Sequence, residues 1–291
     1  MKIALGTAQL GMHYGVNNRR GKIPAGEAYQ ILDLGFQNGV DMLDTAPAYG
    51  ASESVIGDFI KKYGIKFDVI SKLPQCRPGD EEMTLHRTLK FLNLDRLYGY
   101  LLHSFQAYQN NPGLWDLMSN FKKQGHTKKI GFSLYFPSEL EILLRSKVPF
   151  DILQVPYSIF DRRFERYFDK LKEMDIEVHA RSIFLQGLVF KKLDELQRHF
   201  SKITEKLKKL QRLSRKEQIP VAALCLNFVI SYENIDKVVV GVDNIDNFRQ
   251  ILKGSTDFPL PDVIRDKLVE FREEDENILL PFKWQEDPTG E

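Results

Sequence analysis

Three titratable side chains each stand at the end of a short apolar run. Asp44 follows Val40-Asp41-Met42-Leu43, Lys72 follows Val69-Ile70-Ser71, and His103 follows Tyr100-Leu101-Leu102. A phenol lies just beyond the first of them, in Asp44-Thr45-Ala46-Pro47-Ala48-Tyr49-Gly50-Ala51-Ser52-Glu53. Taken singly, these residues have ordinary roles. An Asp ending a strand caps the next helix, a Lys there is solvated, and a lone His is a core residue with its hydrogen bonds satisfied. Taken together, they can move a proton. A phenol of intrinsic pKa ~10 is a poor acid or base at neutral pH until it is tuned. An ammonium beside it favours the phenolate. A carboxylate holds that ammonium charged and oriented, and an imidazole can hydrogen-bond the oxygen that receives the proton.

Such a site exists only if the strand ends converge. Along the chain, short β-rich runs alternate with amphipathic stretches. Strands are predicted at Ile3–Leu5, Val40–Asp44, Phe67–Ser71, Leu97–His103, Lys129–Ser133, Ile152–Val155, Glu177–Ala180 and Lys237–Gly241. Helices are predicted between them at Ala25–Asn38, Ser52–Tyr63, Glu81–Leu92, Leu114–Gln124, Ser138–Ser146 and Phe164–Met174. A longer helical region precedes the last strand, and Asn244–Leu252 and Pro261–Glu276 follow it. This is the count of an α/β fold, a single (β/α)8 TIM barrel over residues 1–291 with extra C-terminal helices. An open doubly wound sheet is the competing topology. Against it, no GxGxxG follows the first strand and there is no Walker loop.

Three segments exceed a minimal barrel. Gly11–Pro24 is a polar loop after strand one. Gln186–Gln218 reads as a long, basic, helical insertion (about 188–218), with Leu193, Leu196, Phe200, Ile203, Leu207, Leu210 and Leu213 on one apolar stripe. The C-terminal helix and tail (about 261–291) end in an irregular stretch, Phe282–Glu291. In a barrel the working groups gather at the C-terminal strand ends. That brings Asp44, Lys72, His103, Ser133, Gln154, Arg181 and Gly241 to one face.

Charge and composition narrow the classes. There are 41 basic and 40 acidic side chains, a net charge of +1, which excludes a strongly basic nucleic-acid binder. Hydrophobic residues at 43% and charged residues at 28% are the mix of a globular protein. No apolar run reaches the ~18–20 residues of a membrane span, and the N-terminus has no secretory pattern, so a cytoplasmic location is expected. Cys76 and Cys225 stand far apart without a CxxC and are expected as free thiols. The 6 histidines show no ligand spacing, so no metal is expected.

The motif Asp-x-Ala-x-x-Tyr-Gly-x-Ser-Glu, then a strand-end Lys, then a strand-end His, resembles the aldo-keto reductases. The resemblance runs from Leu5-Gly6-Thr7 through Ser71-Lys72, Leu102-His103, Gly131-Phe132-Ser133 and Gln154 to Val240-Gly241. It implies a catalytic tetrad of Asp44, Tyr49, Lys72 and His103, and reduction of a small carbonyl compound (an aldehyde, ketone or sugar) to an alcohol. Tyr49 would protonate the developing alkoxide. No side chain donates hydride, so a nicotinamide must. By resemblance, Gly6 and Thr7 border the cofactor. Ser133 and Gln154 would hold the carboxamide. Ser182, Leu185 and Gly187 would lie along the pyrophosphate. Gly241, Asp243, Asn244, Asn247 and Gln250 would hold the adenosine phosphate end.

This chain departs from the family pattern at several of these positions. Leu134 stands where the family commonly has Asn. Arg181 stands where an aromatic often stacks on the nicotinamide, and its guanidinium could stack there too, or point at the pyrophosphate or at an anionic substrate. Asp243 would repel a 2′-phosphate unless Arg249 faces inward. NADP(H) is expected, with NAD(H) possible. No β-hairpin fits before strand one, so the barrel floor is expected to be filled by strand side chains or by the C-terminal segment. His13, Tyr14, Tyr135, Tyr157 and Phe160 could wall the substrate pocket or equally pack their own loops, and Phe160-Asp161-Arg162-Arg163 reads as a helix entry with ion pairs. Two other readings remain: a nicotinamide-binding regulatory subunit with little turnover, and a Schiff-base lysine at Lys72. No nucleic-acid or membrane partner is expected, and the pattern does not set the oligomeric state.

Overall fold

The apolar runs become strands because a parallel strand flanked by helices is buried on both faces and tolerates a continuous apolar sequence. The computed structural model describes residues 1–284. Its strands are β1 (Ile3–Gly6), β2 (Met42–Asp44), β3 (Asp68–Leu73), β4 (Leu97–Leu102), β5 (Thr127–Ser133), β6 (Ile152–Pro156), β7 (Glu177–Arg181) and β8 (Lys237–Gly241). They pair in parallel in chain order, and β1 closes on β8 with Ile3 opposite Val238 and Gly6 opposite Gly241. The fold is therefore the closed (β/α)8 barrel, not an open sheet. Ala4, Met42, Ile70, Leu101 and Ile152 pack together inside it, and the larger apolar cluster lies between the strands and the surrounding helices.

Helices differ from expectation where periodicity misleads. The apolar stripe of the insertion does not form one helix. Short 3-10 turns at Leu185–Phe190, Leu193–Glu195 and Arg198–Ile203 lead into an α-helix only at Thr204–Glu217. Left-handed backbone at Gln186 and Gly187 breaks the segment at its start. The stripe still packs inward, with Phe200, Ile203, Leu207 and Leu210 buried. A distinct helix, Val221–Ile230, precedes β8 and is apolar nearly all round. The predicted Pro261–Glu276 helix stops at Val269, and a short turn, Glu276–Leu279, follows. Residues 285–291 of the predicted irregular tail lie outside the described residues.

Among the described residues no hairpin lies under the barrel, and strand side chains close the floor. Tyr98 Oη donates to Glu177 Oε1 at 2.6 Å, and Lys129 Nζ donates to the same oxygen at 2.7 Å. Residues 278–284 instead pack toward the catalytic face, where the Phe282 ring meets Tyr135 edge-on at 5.1 Å. Both cysteines are free thiols. No helix among the described residues is long and apolar enough to cross a membrane.

Candidate active site

The strand ends bring the four expected groups together. Asp44 ends β2, Lys72 lies one residue inside the end of β3, and His103 follows β4 with its N–H bonded to Leu73 O at 3.0 Å. Lys72 Nζ donates to Asp44 Oδ1 at 2.7 Å, Thr45 O at 3.0 Å and Tyr49 Oη at 3.4 Å. The Tyr49 and His103 rings meet edge-on, 6.0 Å between centroids. Lys72 is 1% exposed and Asp44 4%. Three acceptors around one amine suit an ammonium and oppose its use as a Schiff-base nucleophile.

The loop carrying Tyr49 is braced by its own motif. Ser52 Oγ donates to Thr7 O at 2.9 Å, and Thr7 Oγ1 donates to Asp44 O at 2.9 Å. Glu53 is buried and accepts from Ser71 Oγ at 2.8 Å and Thr88 Oγ1 at 3.3 Å. At Gly11 a Cβ would sit 1.8 Å from Tyr49 O, so only glycine lets the first loop press against the phenol's backbone.

Burial, rather than charge, sets the protonation of the two outer groups. The Tyr49 phenol is pushed up by burial and by Asp44, with Arg181 opposing. This corrects the expectation that Lys72 lowers it. The ammonium bonds first to Asp44, whose charge offsets its own, and reaches the phenol only at 3.4 Å. The phenol is therefore protonated at neutral pH, the form that can give a proton. Burial, and next the Lys72 charge, lowers His103 to about 4, with Asp44 opposing. Its imidazole is neutral at pH 7 and can donate one N–H.

Tyr49 and His103 open into a cavity of about 360 Å³ that runs on to Gly241, Asp243, Asn247 and Gln250. A family model described as the aldo/keto reductase family matches residues 2–271. The chain belongs to the aldo/keto reductase family. Among curated relatives it is 24% identical to the uncharacterized oxidoreductase YqkF of Bacillus subtilis over 255 residues, 79% of this chain and 82% of the relative. Among solved structures it is similar to an aldo-keto reductase from Bacillus halodurans in its holo form, with TM-score 0.74, 19% identity, and coverage of 93% of this chain and 91% of that one. It is also similar to an aldo/keto reductase from Klebsiella pneumoniae in complex with NADP and acetate. There the TM-score is 0.72 and the identity 19%, over 96% of this chain and 94% of that one.

In this aldo/keto reductase the cavity wall holds most of the residues expected to contact a cofactor. Gly6, Thr7, Ser133, Gln154, Arg181, Ser182, Gly187, Gly241, Asp243, Asn247 and Gln250 all line it. Leu185 and Asn244 do not. The Leu185 side chain is 1% exposed within the apolar core, and Asn244 caps the helix Ile245–Asp257 by accepting from Asn247 N at 2.8 Å. Gln154 has a second task that the sequence did not suggest: its Nε2 donates to Asp44 Oδ2 at 2.7 Å, and its Oε1 accepts from Ser133 Oγ at 3.4 Å. Arg249 does not face inward to offset Asp243; it pairs with Asp246 at 2.8 Å and is 58% exposed.

Of the expected aromatic wall, Tyr14 and Tyr135 line the cavity. Tyr157 and Phe160 are core residues, and His13 Nε2 pairs with Asn18 O. Arg162 and Arg163 pair with Glu165 and Asp161, as a helix entry with ion pairs requires. Sequence reading missed Gln9, which lines the cavity opposite Gly241. A Gln in the otherwise apolar Ala8-Gln9-Leu10 was its only signal.

Proposed function

We propose that this protein reduces a small carbonyl compound to an alcohol, with Tyr49 as the proton donor. The observation that carries this reading is the Tyr49 phenol, held 3.4 Å from Lys72 Nζ and edge-on to the His103 ring on the wall of one cavity. His103 would hydrogen-bond the substrate oxygen beside Tyr49 Oη, which passes its proton to the alkoxide as charge builds there. The Asp44–Lys72 pair, clamped by Gln154, would fix the phenol and refill its proton.

The residues fit a nicotinamide dinucleotide, which when bound supplies the hydride. Ser133 and Gln154 present a hydroxyl and an amide oxygen at the catalytic end of the cavity. At the far end a Cβ on Gly241 would approach Gln9 Nε2 to 2.8 Å, so the glycine lets the Gln9 amide pack against that wall. Beside it stands the N-terminus of the helix Ile245–Asp257, where Ile245 N is bonded to Glu27 Oε1 at 3.2 Å and Asn247 N to Asn244 Oδ1 at 2.8 Å, which leaves Asp246 N to face an anion. NADP(H) is the first choice by family, and the Klebsiella pneumoniae relative is described with NADP. NAD(H) is the second, and Asp243 argues for it. A cytoplasmic site of action and a small-molecule partner accord with this activity.

An NADPH- and NADH-oxidation screen over aldehydes, ketones and sugars tests the proposal, with Tyr49→Phe as the blank. Turnover should fall by about 10²–10⁴ in the variant while nucleotide affinity is kept. Comparable turnover in the variant would remove Tyr49 from its role. Nucleotide binding with no turnover over the whole panel would favour a regulatory subunit.

A further inference from the structure

Arg181 ends β7 at the catalytic face and lines the same cavity as Tyr49 and His103. Its guanidinium lies over the Tyr135 ring, 4.1 Å from the centroid. One terminal nitrogen donates to Ser182 Oγ at 3.2 Å and the other to Leu134 O at 2.9 Å. Its Nε is buried without a hydrogen-bond partner among the described residues. No carboxylate is among these partners, whereas Arg162 and Arg163 each pair with one. Arg181 is partly buried, a guanidinium there without a counter-ion is costly, and its fork of donors matches a carboxylate or phosphate.

Nothing nearby can neutralise it from within. The Asp44 carboxylate is already engaged by Lys72 and Gln154, both at 2.7 Å, and Asp243 lies at the other end of the cavity wall, beside Gln9. Arg181 is also the one Lys or Arg on that wall among the described residues. Its field reaches the site: it opposes the upward push on both Tyr49 and Tyr14. The Tyr135 ring and Leu134 O hold the guanidinium flat and aimed.

We propose that the substrate carries an anionic oxygen group, carboxylate or phosphate, close to its carbonyl, and that Arg181 receives that group. This inference rests on the carbonyl-reductase reading above.

Two matched pairs test it and separate the two sources of charge: 5-oxopentanoate against its methyl ester, and glyceraldehyde 3-phosphate against glyceraldehyde. In the wild type, kcat/KM for at least one anionic member should exceed that for its neutral partner by about 10- to 100-fold, the range of a charged hydrogen-bonded contact. Arg181→Gln should bring that ratio to near one, and Arg181→Lys should restore part of it. The nucleotide Kd of each variant, read by fluorescence quenching, is the second measurement. A wild-type ratio near one in both pairs overturns the proposal. So does Arg181→Gln that keeps the ratio but weakens nucleotide binding, because the guanidinium would then serve the dinucleotide. No turnover of any of the four compounds, with nucleotide bound, overturns this inference, and the reductase reading falls with it only if the whole panel of aldehydes, ketones and sugars is inert as well.

Discussion

Replacing Lys72 with Met keeps the stem of the side chain and removes its ammonium. Asp44 is 4% exposed and would keep one donor, Gln154 Nε2 at 2.7 Å. Thr45 O would lose its 3.0 Å partner. Removing one member of a buried ion pair costs about 3–5 kcal/mol, because a charge is left buried without its partner. An upper limit comes from the alternative open to the variant, which is to take up a proton on the carboxylate. From an ordinary carboxyl pKa of about 3.9, that costs about 4 kcal/mol at pH 7 and about 1.4 kcal/mol less for each unit of acidification. Lys72→Met should therefore be less stable than wild type by about 4 kcal/mol at pH 7 and by about 1.5 kcal/mol at pH 5. The sign follows from proton binding: the folded variant holds a proton that its unfolded chain has released, so acid favours the folded variant. Denaturant unfolding at the two pH values measures both numbers. The double variant Asp44→Asn with Lys72→Met should recover much of the loss at pH 7, since no charge remains to be paired. A loss under 1 kcal/mol at pH 7, or one that is flat between pH 7 and 5, would show that the pair is not buried as described.

His103 should titrate near pH 4, because burial first and the Lys72 charge second oppose its protonation. Its pKa is depressed below the unfolded value of about 6.5, so stability is lost as pH falls from about 6.5 towards 4, by up to about 3 kcal/mol. His103→Gln should flatten that part of the stability profile, and an imidazole NMR titration centred near 6.5 would contradict it. Asp243 lines the far end of the cavity, its carboxyl raised by burial, with a Gln9 hydrogen bond and Arg20 opposing. Asp243→Ser should tighten NADPH binding about tenfold while leaving NADH nearly unchanged, as expected from removing one like charge. Fluorescence titration with both cofactors checks this, and an unchanged ratio would refute it.

The barrel and the convergence of Asp44, Lys72 and His103 at its strand ends were legible because each depends on a local signal. Short apolar runs separated by amphipathic stretches mark strands that alternate with helices, and a polar residue closing such a run marks the catalytic face. What stayed hidden depends on tertiary contact. Val221–Ile230 is a helix buried nearly all round, so it has no polar face for periodicity to detect. The loop after β7 places Ser182, Leu185 and Gln186 at positive φ as well as Gly187, and only the glycine is a residue type that announces it. Contacts from the first loop tie it down: Val16 N bonds to Gln186 O at 3.0 Å, and Gln186 Nε2 donates to Tyr14 Oη at 2.9 Å. For Tyr157 and Phe160 the sequence leaves two roles open, because an aromatic after a strand can face the pocket or the core. Here both face the core. The Tyr49 phenol was misjudged because residue types reveal neighbouring charges but not the degree of burial that outweighs them.

The closure of β1 on β8 also sets an order of assembly. β1 draws one edge from β2, its near neighbour in the chain, and the other from β8, with Ile3 facing Val238. The Lys2 ammonium is likewise anchored late, on Ile230 O and Tyr232 O. At ~5–20 residues per second, synthesis of the roughly 235 residues between these partners takes about 12–50 s. A first strand formed within that time would have one bare edge, and a bare edge is a template for pairing with another chain. A ring of strands thus cannot ripen from its start. Its first strand is completed only by its last, and a ribosome that stalls before residue 241 leaves a sheet with two open sides.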